Sequence, residues 1–112
     1  MSAGAIMGID LGSTGVRAAI FSEDGDALGS AYRELVAKFP RPGWVEQDPE
    51  EMWQASLEVI RASLETAGVA ASELAAVGIA NQRSSVMAWE AESLRPLSAM
   101  IGWQDTRAEE RC

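Results

Sequence analysis

The 112-residue chain contains no histidine. That removes imidazole ligands, Ser–His triads and imidazole acid–base chemistry from anything these residues do alone. Cysteine is nearly as scarce. The single Cys112 is the last residue, so there is no internal disulfide and no multi-cysteine metal cluster, which suits a reducing compartment. Positive charge is also short, with 9 Lys and Arg against 17 Asp and Glu and a net charge of −8. Nucleic acids and anionic membranes call for a basic stripe, so neither is expected as a partner. No apolar run approaches the roughly 20 residues of a membrane span. The N-terminal run lacks a basic flank and ends at Asp10, so no signal peptide is expected and the expected location is the cytoplasm. Any catalysis must run through carboxylate, metal and arginine.

What is present is an ordinary globular composition, 47% apolar and 23% charged, at a length that suits one core. The most informative stretch is Met7-Gly-Ile-Asp-Leu-Gly-Ser-Thr-Gly-Val-Arg-Ala-Ala-Ile-Phe21. It reads as a strand, a tight turn and a second strand. Gly12 and Gly15 allow positive φ and leave room for a ligand against the backbone. A turn of this kind aims successive N–H groups and the hydroxyls of Ser13 and Thr14 at one point, which suits a phosphate. Asp10 ends the first strand, where a carboxylate would hold a hard cation through water. For Gly-x-x-Gly alone, an ordinary hairpin is the better reading. Asp10, Gly12, Ser13, Thr14 and Arg17 together favour the phosphate. Ser13 and Thr14 have two open roles, stabilising the turn or holding the anion.

Asp24-Gly25 is a strong hairpin signal, and residues 27–37 form a third strand by their rough alternation. The second and third strands carry more polar residues than the first, which makes the first the more central. Residues 39–48, with Pro40, Pro42 and Gly43, are expected to be irregular. A helix follows: Asp48 is the N-cap, Pro49 sits at N1, Glu51 completes a capping box and Gly68 ends it. Its stripe of Met52, Trp53, Leu57, Ile60 and Leu64 is expected to cover one face of the sheet. Residues 72–75 read as a short helical turn and 76–80 as a buried strand. Residues 86–89 read as a short strand, and 96–101 as an extended return. Asp105 is placed to cap a helix beginning at Thr106. The order strand, strand, strand, helix, strand is α/β with an antiparallel edge, and ligands in such sheets gather at the C-terminal strand ends. Asp10 and residues 81–85 both fall there.

Four segments, in order, resemble the N-terminal part of the FGGY carbohydrate kinases, which include glycerol kinase and xylulokinase. They are Gly8-Ile-Asp-Leu-Gly-Ser-Thr-Gly-Val-Arg17, Pro42-Gly-Trp-Val-Glu-Gln-Asp-Pro49 with Met52-Trp53, Gly78-Ile-Ala-Asn-Gln-Arg83, and Ile101-Gly-Trp-Gln-Asp-Thr-Arg107. The first alone also fits hexokinases, actin and heat-shock chaperone ATPases. The other three are specific. Asn81-Gln-Arg-Ser84 is nearer glycerol kinase than the Gly-Gln-Met-His usual in xylulokinases.

The resemblance implies an α/β, ribonuclease-H-like domain of the actin and hexokinase superfamily, a mixed sheet with its first three strands antiparallel, present here in part over 1–112. It implies ATP and Mg2+ as cofactors and a small-molecule sugar or polyol as acceptor. Asp10 would hold the metal, Gly12, Ser13, Thr14 and Arg17 the terminal phosphates, and Arg83, Ser84 and Trp103 the acceptor. Glycerol kinases carry a Glu where this chain has Ser84, which puts glycerol itself in doubt and leaves room for a longer polyol or sugar. The family's general-base Asp and its second, adenosine-holding domain are expected downstream. The isolated chain is therefore expected not to turn over, and to self-associate through apolar surface left uncovered. The alternative is a truncated binding or interaction module without catalysis, with an actin-type ATPase a weaker third. Plain structural roles remain open for the rest. Trp44 and Trp53 suit packing, and Trp89 suits closing the small sheet. Trp103 suits either the acceptor or a buried position, and Arg83 suits a ligand or a pairing with Asp105 or Glu46.

Overall fold

The apolar alternation at the start of the chain becomes a sheet because every second side chain has a helix to pack against. The computed structural model describes residues 4–111, so Cys112 lies outside the described residues. Strands β1 (Ala5–Leu11), β2 (Gly15–Phe21) and β3 (Ala27–Glu34) form an antiparallel meander. The short strand β4 (Glu46–Gln47) leads into helix α1 (Pro49–Ala67). Strand β5 (Leu74–Asn81) then returns parallel to β1, giving the order β3-β2-β1-β5. A second sheet pairs β4 with β6 (Met100–Ile101).

Strand β1 is interior, as its apolar content predicts. Ala5, Met7 and Ile9 from β1 and Val16, Ala18 and Ile20 from β2 are buried on one face. Helix α1 lies on that face over β2 and β3. Its buried residues are Ala55, Ser56, Val59 and Ser63. The bulky stripe is thus only partly right, since Met52, Ile60 and Leu64 pack at the margins while Trp53 is 57% exposed. At its C-terminal end the helix approaches the sheet closely, where a Cβ on Gly29 would meet the Ala67 backbone at 2.6 Å. Burying a side chain such as Val59 stabilises by about 1.5–3 kcal/mol.

The helix ends are as expected, with one change. Asp48 accepts from Glu50 N at 2.9 Å, and Gly68 closes the helix at φ 67°. The reciprocal bond of a capping box from Glu51 is not made among the described residues, because Asp48 serves the N2 amide rather than that of Glu51.

Other expectations change too. Residues 39–48 are not wholly irregular, since Glu46–Gln47 finds Met100–Ile101 as a partner. Residues 86–89 are not a strand but make isolated bridges, Val86 to Ile101 and Trp89 to Pro96, and Trp89 stays half exposed. The third strand stops at Glu34, and beyond it only Lys38 bridges to Glu46. No helix begins at Thr106. A 3₁₀ turn forms instead at Glu109–Arg111, although Asp105 Oδ1 does accept the Arg107 N–H in the manner of a cap. Strand β5 is exposed rather than buried, with Val77 at 51% and Ile79 at 68%, because α1 does not reach across to it. Among the described residues no helix is long and apolar enough to cross a membrane.

Candidate functional site

The turn between β1 and β2 is closed by Gly12 N–H donating to Gly15 O at 3.0 Å. Neither Gly12 nor Gly15 has positive φ, contrary to the reading from sequence. Room is what Gly15 supplies: a Cβ there would lie 2.2 Å from the Tyr32 hydroxyl and 2.3 Å from its ring. Tyr32 crosses Gly15 to donate from its hydroxyl to Thr14 O at 3.2 Å, and Leu35 N donates to the same carbonyl at 2.9 Å.

Two glutamines that sequence reasoning did not single out hold the turn from the other side. Gln47 on β4 donates through Nε2 to Ser13 O at 2.5 Å. Gln82, just after β5, donates through its backbone N to Leu11 O at 2.9 Å and through Nε2 to Gly12 O at 3.3 Å and Gln47 Oε1 at 3.1 Å. Ser85 Oγ completes the chain by donating to Gln82 Oε1. Gln47 is only 4% exposed. Their one sequence signal was membership of two motifs in which the neighbouring charges drew the attention.

A cleft of about 570 Å³ opens beside this network, lined by Gly12, Ser13, Gln82, Arg83, Ser84 and Trp103. It brings half of the expected phosphate turn together with all three expected acceptor residues. Its lining holds one cation and no carboxylate, in a chain of net charge −8. Arg83 is exposed and makes no ion pair or hydrogen bond among the described residues. The pairing with Asp105 and Glu46 belongs instead to Arg107, which lies 2.7 and 2.8 Å from them. Ser84 sits at φ 61°, a left-handed conformation that costs a residue with a side chain about 1–2 kcal/mol. Backbone strain at a cleft residue is the mark of a position set by geometry rather than by local preference.

Trp103 reaches the cleft on a loop tied to the 43–45 segment. Gly102 N donates to Val45 O, Val45 N to Asp105 Oδ2 and Thr106 N to Gly43 O. Arg107 locks the loop by donating to both Asp105 oxygens and stacking 3.8 Å over the Trp44 ring. These hydrogen bonds from Arg107 hold the Asp105 carboxyl well below the usual carboxylate range, and they raise Arg107 in turn. Trp103 itself is 56% exposed in this chain, not buried among the described residues.

Asp10, Thr14 and Arg17 do not line this cleft. Asp10 and Arg17 are register partners on the uncovered sheet face, and the Arg17 guanidinium lies 4.8 Å over the Tyr32 ring. Thr14 is exposed at the tip of the turn. The expected residues therefore form two groups, one on each side of the turn. Among the described residues no three His, Cys, Asp or Glu side chains are grouped to cage a metal. A single carboxylate such as Asp10 suits a cation that keeps most of its water and leans on phosphate oxygens.

Residues 5–112 match the FGGY family of carbohydrate kinases, N-terminal domain. The chain is 46% identical over 107 residues to a glycerol kinase from Bordetella pertussis, covering 96% of this chain and 21% of that protein. It overlays the crystal structure of a xyloylose kinase from Brucella ovis with a TM-score of 0.88 and 32% identity, over 95% of this chain and 22% of that one. It also overlays a Plasmodium falciparum glycerol kinase with ADP, at a TM-score of 0.85 and 27% identity, over 98% of this chain and 22% of that one. The fold is α/β of the actin and hexokinase class, with a mixed sheet and antiparallel first strands. The chain spans about a fifth of the length of the relatives it matches.

Proposed function

The chain belongs to the FGGY family of carbohydrate kinases, and on that premise we propose that it forms one wall of the site of an ATP-dependent kinase for a sugar or polyol. In this reading the protein acts in the cytoplasm, and residues 1–112 are part of the first of two domains flanking the cleft. The observation that carries it is the shared cleft, where Gly12 and Ser13 of the turn meet the unpaired Arg83 and the half-exposed Trp103.

Gly12, Ser13 and Thr14 receive the terminal phosphates through backbone N–H groups and hydroxyls, with Arg17 adding charge from the far side of the turn. The fit is supported by the Ser13 and Thr14 N–H groups, which donate to no acceptor among the described residues. Asp10 would be the residue to hold Mg2+. Mg-ATP, when bound, supplies the transferable phosphoryl group and the charge that offsets its oxygens. Arg83 donates to acceptor hydroxyls, Ser84 adds a short neutral partner, and Trp103 packs on the carbon skeleton. The base that takes the hydroxyl proton lies outside this chain, so the isolated chain orients and binds without turning over.

The test is phosphoryl transfer from ATP by the full-length protein to a panel of polyols and sugars. Ser84→Glu should raise kcat/KM for glycerol relative to longer acceptors by about tenfold, the worth of one charge-assisted hydrogen bond. Unchanged selectivity would overturn the assignment of Ser84.

A further inference from the structure

We propose that Gln47 and Gln82 are positioning residues that turn Gly12, Ser13 and Thr14 into an anion receptor. This rests on the kinase reading above and assigns what makes the turn competent. A planar trans peptide fixes each N–H antiparallel to the carbonyl of the residue before it. Gln82 Nε2 holds the Gly12 carbonyl, which sets the Ser13 N–H on the opposite edge of that plane. Gln47 Nε2 holds the Ser13 carbonyl and sets the Thr14 N–H in the same way. Both N–H groups are without a protein acceptor among the described residues. Successive free amides presented from fixed planes make a concave anion site. A peptide flip would instead present a carbonyl oxygen to the phosphate.

Glutamine suits the position because its terminus carries both a donor and an acceptor. Gln47 uses both, giving to Ser13 O and accepting from Gln82 Nε2. Ser85 Oγ fixes which way Gln82 points, by donating to its Oε1. The chain Ser85, Gln82, Gln47, Ser13 thus runs from the acceptor segment to the phosphate turn without a charge that could compete for the anion. A Glu at position 47 would set a carboxylate against the Ser13 carbonyl oxygen. A Met would remove the side-chain donor to the Ser13 carbonyl and one of the two acceptors of Gln82 Nε2, which would keep Gly12 O.

The experiment measures Mg-ATP binding by titration calorimetry, with KM values for ATP and the acceptor, in the full-length protein. Gln47→Met should weaken Mg-ATP binding about tenfold, with the acceptor KM changed less than about twofold. Ser85→Ala, which only loosens the orientation of Gln82, should move Mg-ATP binding the same way by about threefold. If Gln47→Met fails to fold, Ser85→Ala decides alone. Wild-type ATP binding with no loss in either variant overturns the positioning role and leaves the kinase reading standing. Equal losses for ATP and acceptor also overturn it, since they report a general loosening. A wild-type protein that binds no nucleotide brings down the kinase reading itself.

Discussion

Arg107 approaches Asp105 through Nε and Nη2, reaches Glu46 with Nη2, and lies flat on Trp44, so one side chain ties the Trp103 loop to the segment before α1. Asp105 is held below the ordinary aspartate range, chiefly by the hydrogen bonds from Arg107. A group whose folded pKa is depressed stabilises the fold above its unfolded pKa and loses that contribution as pH falls. Asp105→Asn should therefore lower the unfolding temperature by several degrees at neutral pH, and the gap from wild type should narrow only below about pH 4. Thermal melts from neutral to acid pH check this, and a gap that narrows between pH 8 and 6 would contradict it. At this scale the residue pattern itself pointed to Asp10 and Arg17, by their charge beside a glycine-rich turn, whereas Arg83, Ser84 and Trp103 came only from the family resemblance. Neither revealed Gln47 and Gln82, since a neutral amide acquires its role only when a distant backbone carbonyl arrives beside it. Gly15 was legible as leaving room, but the Tyr32 side chain that takes that room is 17 residues away and enters only through β2–β3 register.

Helix α1 shows which elements can be read locally. Its start at Asp48-Pro49 and its stop at Gly68 are short-range chemistry, and both are where the sequence put them. Its buried face was harder, because what selects Ala55, Ser56, Val59 and Ser63 over Trp53 is which side of the helix meets the sheet, a tertiary property. Strand β5 gives the reverse lesson. Its unbroken apolar run reads as buried on both faces, as a parallel strand usually is, yet Val77 and Ile79 stand exposed beside β1. By register they share the face of Met7 and Ile9, beyond the reach of α1. We propose that this uncovered strand drives self-association of the isolated 112-residue chain. Sedimentation velocity should show concentration-dependent oligomers that Ile79→Lys reduces, and a monomer at every concentration would contradict the proposal.

For the whole molecule, the radius of gyration is 16.7 Å and the extents are 58 × 29 × 21 Å. A compact domain of this length has a radius of about 13 Å. The body is elongated, with an uncovered sheet face, and the chain spans 21% of its Bordetella pertussis relative. In the proposed function the cleft receives the acceptor while the turn beside it receives the phosphates. Arg83 separates the two, because it lines the cleft, is unpaired among the described residues, and takes no part in the hydrogen bonds that hold the turn. The direct measurement is steady-state kinetics of Arg83→Ala in the full-length protein, with ATP and acceptor varied independently. The acceptor KM should rise by about tenfold or more, as expected for losing a hydrogen bond from a charged donor, with the KM for ATP within about twofold. An unchanged acceptor KM, or a rise confined to ATP, would contradict the account.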